Sequence, residues 1–133
     1  MAEKAFLATD IIVLKENNIL LIKRKNEPYK SKYALPGGFV EKEERIEETT
    51  IRELWEETGI KVKEKDLGRI GVYSEPKRDP RGRVVSFVFK VEIEVKKVKA
   101  GDDAEDANWF SLQNLPELAF DHEKIIEDAK KLK

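Results

Sequence analysis

Apolar residues fall along this chain in short blocks separated by polar turns. Residues 5–14 run Ala-Phe-Leu-Ala-Thr-Asp-Ile-Ile-Val-Leu and read as a mostly buried strand. Lys15-Glu16-Asn17-Asn18 carries turn chemistry, because Asn tolerates the left-handed conformation. Residues 19–25 then return as a second strand, which predicts a hairpin. Residues 26–33 are polar around Pro28 and read as a loop. Residues 34–40 form a short extended piece with a bend at Gly37-Gly38. A helical segment is predicted from about Arg45 to Thr58, with Gly59 as its left-handed stop. Strands are predicted over 67–73, 83–95 and 108–111. Asp121 is placed to cap a last helix whose Ile125, Ile126, Ala129 and Leu132 follow the helical period. Strands outnumber helices and helices separate them, so an α+β or sandwiched α/β/α domain is expected, as one unit over 1–133.

Within the central helix, Ile51, Leu54, Trp55 and Thr58 form one apolar stripe, expected to face a sheet. Glu53, Glu56 and Glu57 centre on the opposite side. A plain amphipathic helix also carries glutamates outside, since Glu is a good surface helix former. Like charges at this spacing repel, however, and ask for a positive partner. Arg52 lies four residues before Glu56 and is one such partner; a divalent cation is another. Magnesium prefers carboxylate oxygens together with water and substrate phosphates.

Composition narrows the chemistry. With 26 Lys and Arg against 27 Asp and Glu, the formal net charge is -1, so no global field attracts nucleic acid or a membrane. There is no Cys, and one His, so thiolate metal sites are excluded and histidine-based zinc or triad chemistry is disfavoured. No apolar run reaches transmembrane length, and the N-terminus lacks a signal-peptide pattern, so a cytoplasmic protein is expected.

Upstream context changes the weight of the glutamates. The order is Gly38, five residues, Glu44, seven residues, Arg52-Glu53-Leu54, one residue, Glu56-Glu57, one residue, Gly59-Ile60. This pattern resembles the signature of the Nudix hydrolases. Glu43 stands where glycine commonly precedes the loop glutamate, and Thr49-Thr50 where alanine is common; glycine at 43 would permit positive φ.

The resemblance implies a Nudix-like α/β/α sandwich, with a mixed central sheet and a loop-helix-loop box. It implies that Glu53, Glu56 and Glu57 bind Mg²⁺, with Mn²⁺ as a substitute, and that a main-chain carbonyl of Gly37 or Gly38 adds a ligand. It implies that Arg52 orients a helix glutamate, with Glu44 the loop glutamate of the box. The implied reaction is hydrolysis of a nucleoside diphosphate linked to a second group. The base that positions water varies in the family and comes from the box or from a later loop; the loop offers Asp102, Asp103, Glu105 and Asp106, of which Asp103 and Glu105 are preferred, against a solvated acidic turn.

Pro76, sixteen residues after Ile60, and the run Arg78-Asp79-Pro80-Arg81-Gly82-Arg83 look like the ADP-ribose pyrophosphatase subgroup. Lys77, Arg78, Arg81 and Arg83 surround a two-proline loop and read as a phosphate clamp, against an ordinary hairpin connection with solvated charges. Arg24, at the end of the second strand, is a further phosphate candidate. Phe6, Tyr29, Tyr33 and Tyr73 are candidates for an adenine wall. His122 reads as structural or surface, not a ligand. The expected substrate is therefore ADP-ribose, giving AMP and ribose 5-phosphate. The rival readings are hydrolysis of an oxidised nucleoside triphosphate or a dinucleoside polyphosphate, and a ligand sensor without catalysis. Related enzymes are often homodimers, in which a second chain can complete the pocket.

Overall fold

The computed structural model describes residues 1–94 and 104–132. Strands β1 (Phe6–Lys15) and β2 (Asn18–Arg24) form the expected hairpin, closed by Glu16 at φ 56. Two short strands follow, β3 (Tyr33–Ala34) and β4 (Gly37–Phe39), and then helix α1 (Ile46–Thr58). The chain continues through β5 (Gly68–Tyr73), β6 (Val84–Glu92), β7 (Ala104–Ser111) and helix α2 (His122–Lys130). The seven strands make one mixed sheet with β3-β2-β1-β6-β5 as its main path, while β7 pairs with β2 and β4 with β1. The β1–β6 pair is parallel.

The alternating inward faces of β1 and β2 explain why both strands are apolar almost throughout. Ile11, Val13, Leu20 and Ile22 pack on one side with Leu54 of α1. Ile12, Ile19 and Leu21 pack on the other with Ile125 and Ile126 of α2. A strand buried on both faces cannot alternate apolar with polar. The result is an α/β/α sandwich, and Leu54, fully buried, contributes roughly 1.5–3 kcal/mol by leaving water.

One feature of the sheet makes room for a cleft. On the same edge, β1 pairs with β4 through Ala8, Thr9 and Asp10, and with β2 through Leu14 and Lys15. Strand β2 meanwhile pairs with β3 at Ile22 and Lys23. The sheet forks where β1 changes partner.

Several local expectations need correction. Helix α1 buries Thr49, Thr50, Glu53, Leu54, Glu57 and Thr58, while Trp55 is 54% exposed. At about 100° per residue, its buried stripe is turned by roughly 100° from the purely apolar one. Polar bonds make that turn tolerable: the Thr50 hydroxyl bonds the Thr9 hydroxyl, and the Thr58 hydroxyl donates to the Leu54 carbonyl at 2.6 Å. Gly37 and Gly38 form no bend; both sit in β4. Strand β7 begins at Ala104, earlier than the apolar residues alone suggest. Asp121 precedes α2 but makes no side-chain cap, because its carboxylate is held by Arg78. Leu132 is half exposed beyond the end of α2. Gly59 stops α1 at φ 76, as its type predicts.

Candidate active site

The glycines of β4 are required by proximity. A Cβ on Gly38 would run into the Glu53 carboxylate, and one on Gly37 into the Thr9 carbonyl and the Asp10 side chain. Without side chains, β4 lies flush between β1 and α1. The Gly37 N–H then donates to Glu57 Oε1 at 2.9 Å.

Arg52 organises the acidic face of the helix. Its Nε donates to Glu44 Oε2 at 2.7 Å and a terminal nitrogen to Glu44 Oε1 at 3.1 Å. The other terminal nitrogen reaches Glu53 Oε2 at 3.1 Å and Glu56 Oε1 at 3.0 Å. Glu44 also accepts from the Thr49 hydroxyl at 2.7 Å and the Glu41 N–H at 3.1 Å. The Arg52 bonds, joined by these two, pull the Glu44 carboxyl down to about 2. Arg52 is correspondingly driven above its ordinary value, chiefly by Glu44. Thr49 thus does work that an alanine cannot. Glu43 holds φ 67, so the loop keeps a left-handed turn without glycine.

The three helix glutamates do not share one environment. Glu53 and Glu57 are buried and line a cleft of about 310 Å³ at the fork of the sheet. Glu56 lies outside that lining, with a side chain 45% exposed and directed to Arg52. Four residues of spacing rotate Glu57 only about 40° from Glu53, whereas three residues rotate Glu56 about 60° the other way.

The opposite wall comes from distant segments. Arg78, whose side chain is only 4% exposed, donates to both Asp121 oxygens at 2.9 and 2.7 Å and to the Ser86 hydroxyl at 2.8 Å. Arg78 lines the cleft, with its guanidinium engaged by Asp121 and Ser86. Arg81 donates to Asp79 through Nε at 3.1 Å and a terminal nitrogen at 2.8 Å. Arg24 donates through Nε to the Pro28 carbonyl at 2.7 Å. Burial, reinforced by the neighbouring Arg81 charge, lowers Arg24 from its ordinary value.

Of the sequence candidates for substrate contact, Tyr73, Pro76, Lys77 and Arg83 sit outside the cleft lining. Tyr73 donates to Asp128 at 2.8 Å, and burial with this bond pushes its hydroxyl up to about 12. Arg83 donates to Glu3 at 2.6 Å, and Pro76 is exposed. Lys77 is exposed as well. Of the proposed adenine wall, Phe6 edges Phe39, Tyr29 edges Phe120 and Tyr33 edges Phe110. Asp102 and Asp103 lie outside the described residues, as do the side chains of Glu105 and Asp106.

Sequence reasoning gave no site role to Asp10, Asp79, Phe39 and Phe120 and read His122 as structural or surface; all five line the cleft. Asp10 did leave a signal, a carboxylate interrupting an apolar strand. His122 is buried, and its Nδ1 accepts the Leu35 N–H at 3.0 Å. Nε2 therefore carries the proton, 3.6 Å from Asp10 Oδ1. Burial dominates both groups: it raises Asp10 against the pull of His122 and Arg78, and lowers His122 against the pull of Asp10.

Among the described residues no three His, Asp or Glu side chains converge on one point. Magnesium is commonly held by one or two carboxylates plus substrate phosphates and water, so a converged protein cage is not its requirement. Glu53 and Glu57 supply hard oxygen donors, and the main chain at Gly38 lies in contact range of the Glu53 carboxylate. This donor set fits a hard divalent cation.

Comparison with known proteins agrees with this geometry. The family model described as NUDIX domain matches residues 4–129. A protein of Methanocaldococcus jannaschii named ADP-ribose pyrophosphatase is 57% identical over 127 residues, covering 96% of this chain and 74% of that one. Among solved structures, a bifunctional NMN adenylyltransferase/ADP ribose pyrophosphatase from Francisella tularensis, complexed with AMP and an Mn ion, matches with TM-score 0.85 and 34% identity. That match covers 95% of this chain but 41% of the other, so the chain spans less than half of that protein. The NUDIX domain of Shewanella oneidensis NrtR complexed with ADP ribose matches with TM-score 0.89 and 25% identity, over 98% of this chain and 89% of that one.

Proposed function

The chain belongs to the NUDIX domain family, and from that premise we propose that it hydrolyses the pyrophosphate bond of ADP-ribose to AMP and ribose 5-phosphate with Mg²⁺. The observation that carries the proposal is a single cleft holding both anionic and cationic machinery. Buried Glu53 and Glu57 line it together with Arg24 and Arg81, and Arg24 feels the Glu57 charge. The M. jannaschii relative, with its name and 57% identity, supports the choice of substrate.

Each side chain has a role in this reading. Glu53, Glu57 and the Gly38 carbonyl would hold the ion. When bound, the ion neutralises phosphate charge as a Lewis acid and makes water more acidic. Arg52 keeps Glu53 oriented, and Glu44 locks Arg52 in place. Glu56, turned to the same guanidinium, helps to fix Arg52. Arg24 and Arg81 receive the phosphates. Water adds to one phosphorus while the bond from that phosphorus to the bridging oxygen breaks. Asp103 and Glu105 are the proposed carboxylates that take the water proton. A cytoplasmic setting is part of the proposal; among the described residues no helix is long and apolar enough to cross a membrane.

The test is a substrate panel of ADP-ribose, an oxidised nucleoside triphosphate and a dinucleoside polyphosphate. It is run with Mg²⁺, with and without chelator, in ¹⁸O water. ADP-ribose turned over fastest, with one ¹⁸O in a single product and loss of turnover on chelation, is the expected result. Preference for either rival substrate overturns the assignment.

A further inference from the structure

Two phenylalanines that the phosphate chemistry does not use line the cleft, Phe39 at the end of β4 and Phe120 just before α2. The Arg81 guanidinium bridges them, 4.9 Å from the Phe39 ring centre and 5.4 Å from that of Phe120. Arg24 lies 5.1 Å over Phe120 as well. Each ring is braced by an aromatic edge: Phe6 stands against Phe39 at 5.7 Å and 62°, and Tyr29 against Phe120 at 4.8 Å and 61°. Arg81 is fixed in turn by its two bonds to buried Asp79.

The backbone beneath this cluster is strained. Phe120 holds φ 53 and Tyr29 holds φ 61. Bulky residues rarely occupy the left-handed region, and such strain persists where the surroundings over-determine it, often at ligand clamps. Phe120 is half-buried, packing against the core while its ring meets Tyr29, His122, Arg24 and Arg81 at the cleft.

From this we propose that Phe39 and Phe120, with the Arg81 face between their contacts, form a stacking platform for the nucleobase of the substrate. The inference deepens the proposed function and rests on it for the nucleotide. Aromatic and guanidinium faces recognise any flat heteroaromatic ring. Arg81, already paired with Asp79, holds the two rings together through its guanidinium. The platform lines the same cleft as Glu53 and Glu57, so a ring stacked on it belongs to the molecule whose phosphates meet the carboxylate side. Stacking of this kind tolerates changes of base more readily than a hydrogen-bonded pocket does.

The experiment compares Phe120→Leu, Phe120→Tyr and Phe39→Leu with the wild type by calorimetric titration of AMP and of ribose 5-phosphate, with Mg²⁺ present. Leucine keeps apolar volume but removes the π face; tyrosine retains it. Each leucine variant is expected to weaken AMP binding about tenfold while ribose 5-phosphate binding holds, and Phe120→Tyr is expected to restore AMP binding. Equal loss for both ligands, or no loss for either, overturns the platform. Failure of the functional reading looks different: the wild type then leaves ADP-ribose intact while AMP binding still depends on Phe120. Phe39 is 38% exposed, so its variant tests the platform even if Phe120 variants fold poorly.

Discussion

The two walls of the cleft are built by different means. One comes from a nearly continuous stretch, β4 through α1, in which Gly38, Glu44, Arg52, Glu53 and Glu57 are neighbours in sequence as well as in space. The other gathers Asp10, Arg24, Arg78, Asp79, Arg81, Phe120 and His122 from four separate segments. In the first, most polar contacts are short-range and tie the helix to its own preceding loop. In the second they span the fold, as in Arg78 with Asp121 and Leu35 with His122. The contiguous wall carries chemistry that local spacing can express. The assembled wall joins stability to recognition, because the same bonds that shape it also hold α2 to the sheet.

That contrast can be broken experimentally, beginning where the effect is largest. Glu57→Gln keeps an acceptor for the Gly37 N–H but removes the charge. Turnover is expected to fall by about 100-fold or more, the scale seen when a positioned acid–base or ligand group is lost, with melting temperature nearly unchanged. Near wild-type turnover places the chemistry elsewhere. On the other wall, Arg78→Ala leaves partly buried Asp121 without its two guanidinium bonds. Leaving such a group unsatisfied costs about 1–3 kcal/mol, to be read from urea unfolding. A stability within error of wild type means that Arg78 is not a structural tie and leaves its guanidinium to the phosphates.

Acid sharpens the comparison further. The folded Glu44 carboxyl sits at about 2, against an ordinary 4.5. A depressed carboxyl contributes stability in full above its unfolded value and loses it as pH falls through the folded one. Wild type is therefore expected to lose stability between about pH 4.5 and about pH 2. Glu44→Gln should remove that part of the slope in unfolding curves taken across the window. Parallel curves for the two proteins mean that the Arg52 bonds do not hold in solution. The smallest effect is expected at Glu43, where φ 67 strains a side chain. Glu43→Gly exchanges that strain for a larger entropy loss on folding, leaving a net gain of up to about 1 kcal/mol. A clear loss in thermal melts means that the Glu43 side chain contributes something the backbone angle does not reveal.

The sequence made the contiguous wall readable for a physical reason. Spacing along a helix fixes which side chains share a face, and a stop glycine or a loop glutamate acts within a few residues. Even there, the facing of α1 was misjudged: apolar content pointed to Trp55, whereas bonds from Thr50 and Glu57 turn the helix the other way. The need for Gly37 and Gly38 was legible, but its cause was close approach and not a bend. The sandwich was legible from strands apolar on both faces. Of the far wall, Arg24, Arg78 and Arg81 were legible as cationic candidates, but their pairings were hidden because these depend on which strands lie side by side. Nothing near Arg78 announces Asp121, and nothing near Leu35 announces His122. Phe120 reads as an ordinary apolar residue until its backbone angle and ring contacts are known.

Strand β1 exchanges β4 for β2 along a single edge, and the concavity opens there. It is thus a property of main-chain topology, with Gly37 and Gly38 letting the strand lie close at the parting. Occupants of its rim can be swapped while the strand pairing that parts the sheet stays in place. New specificities on this scaffold are within reach of a few rim substitutions, while the main chain that keeps the hollow open stays as it is.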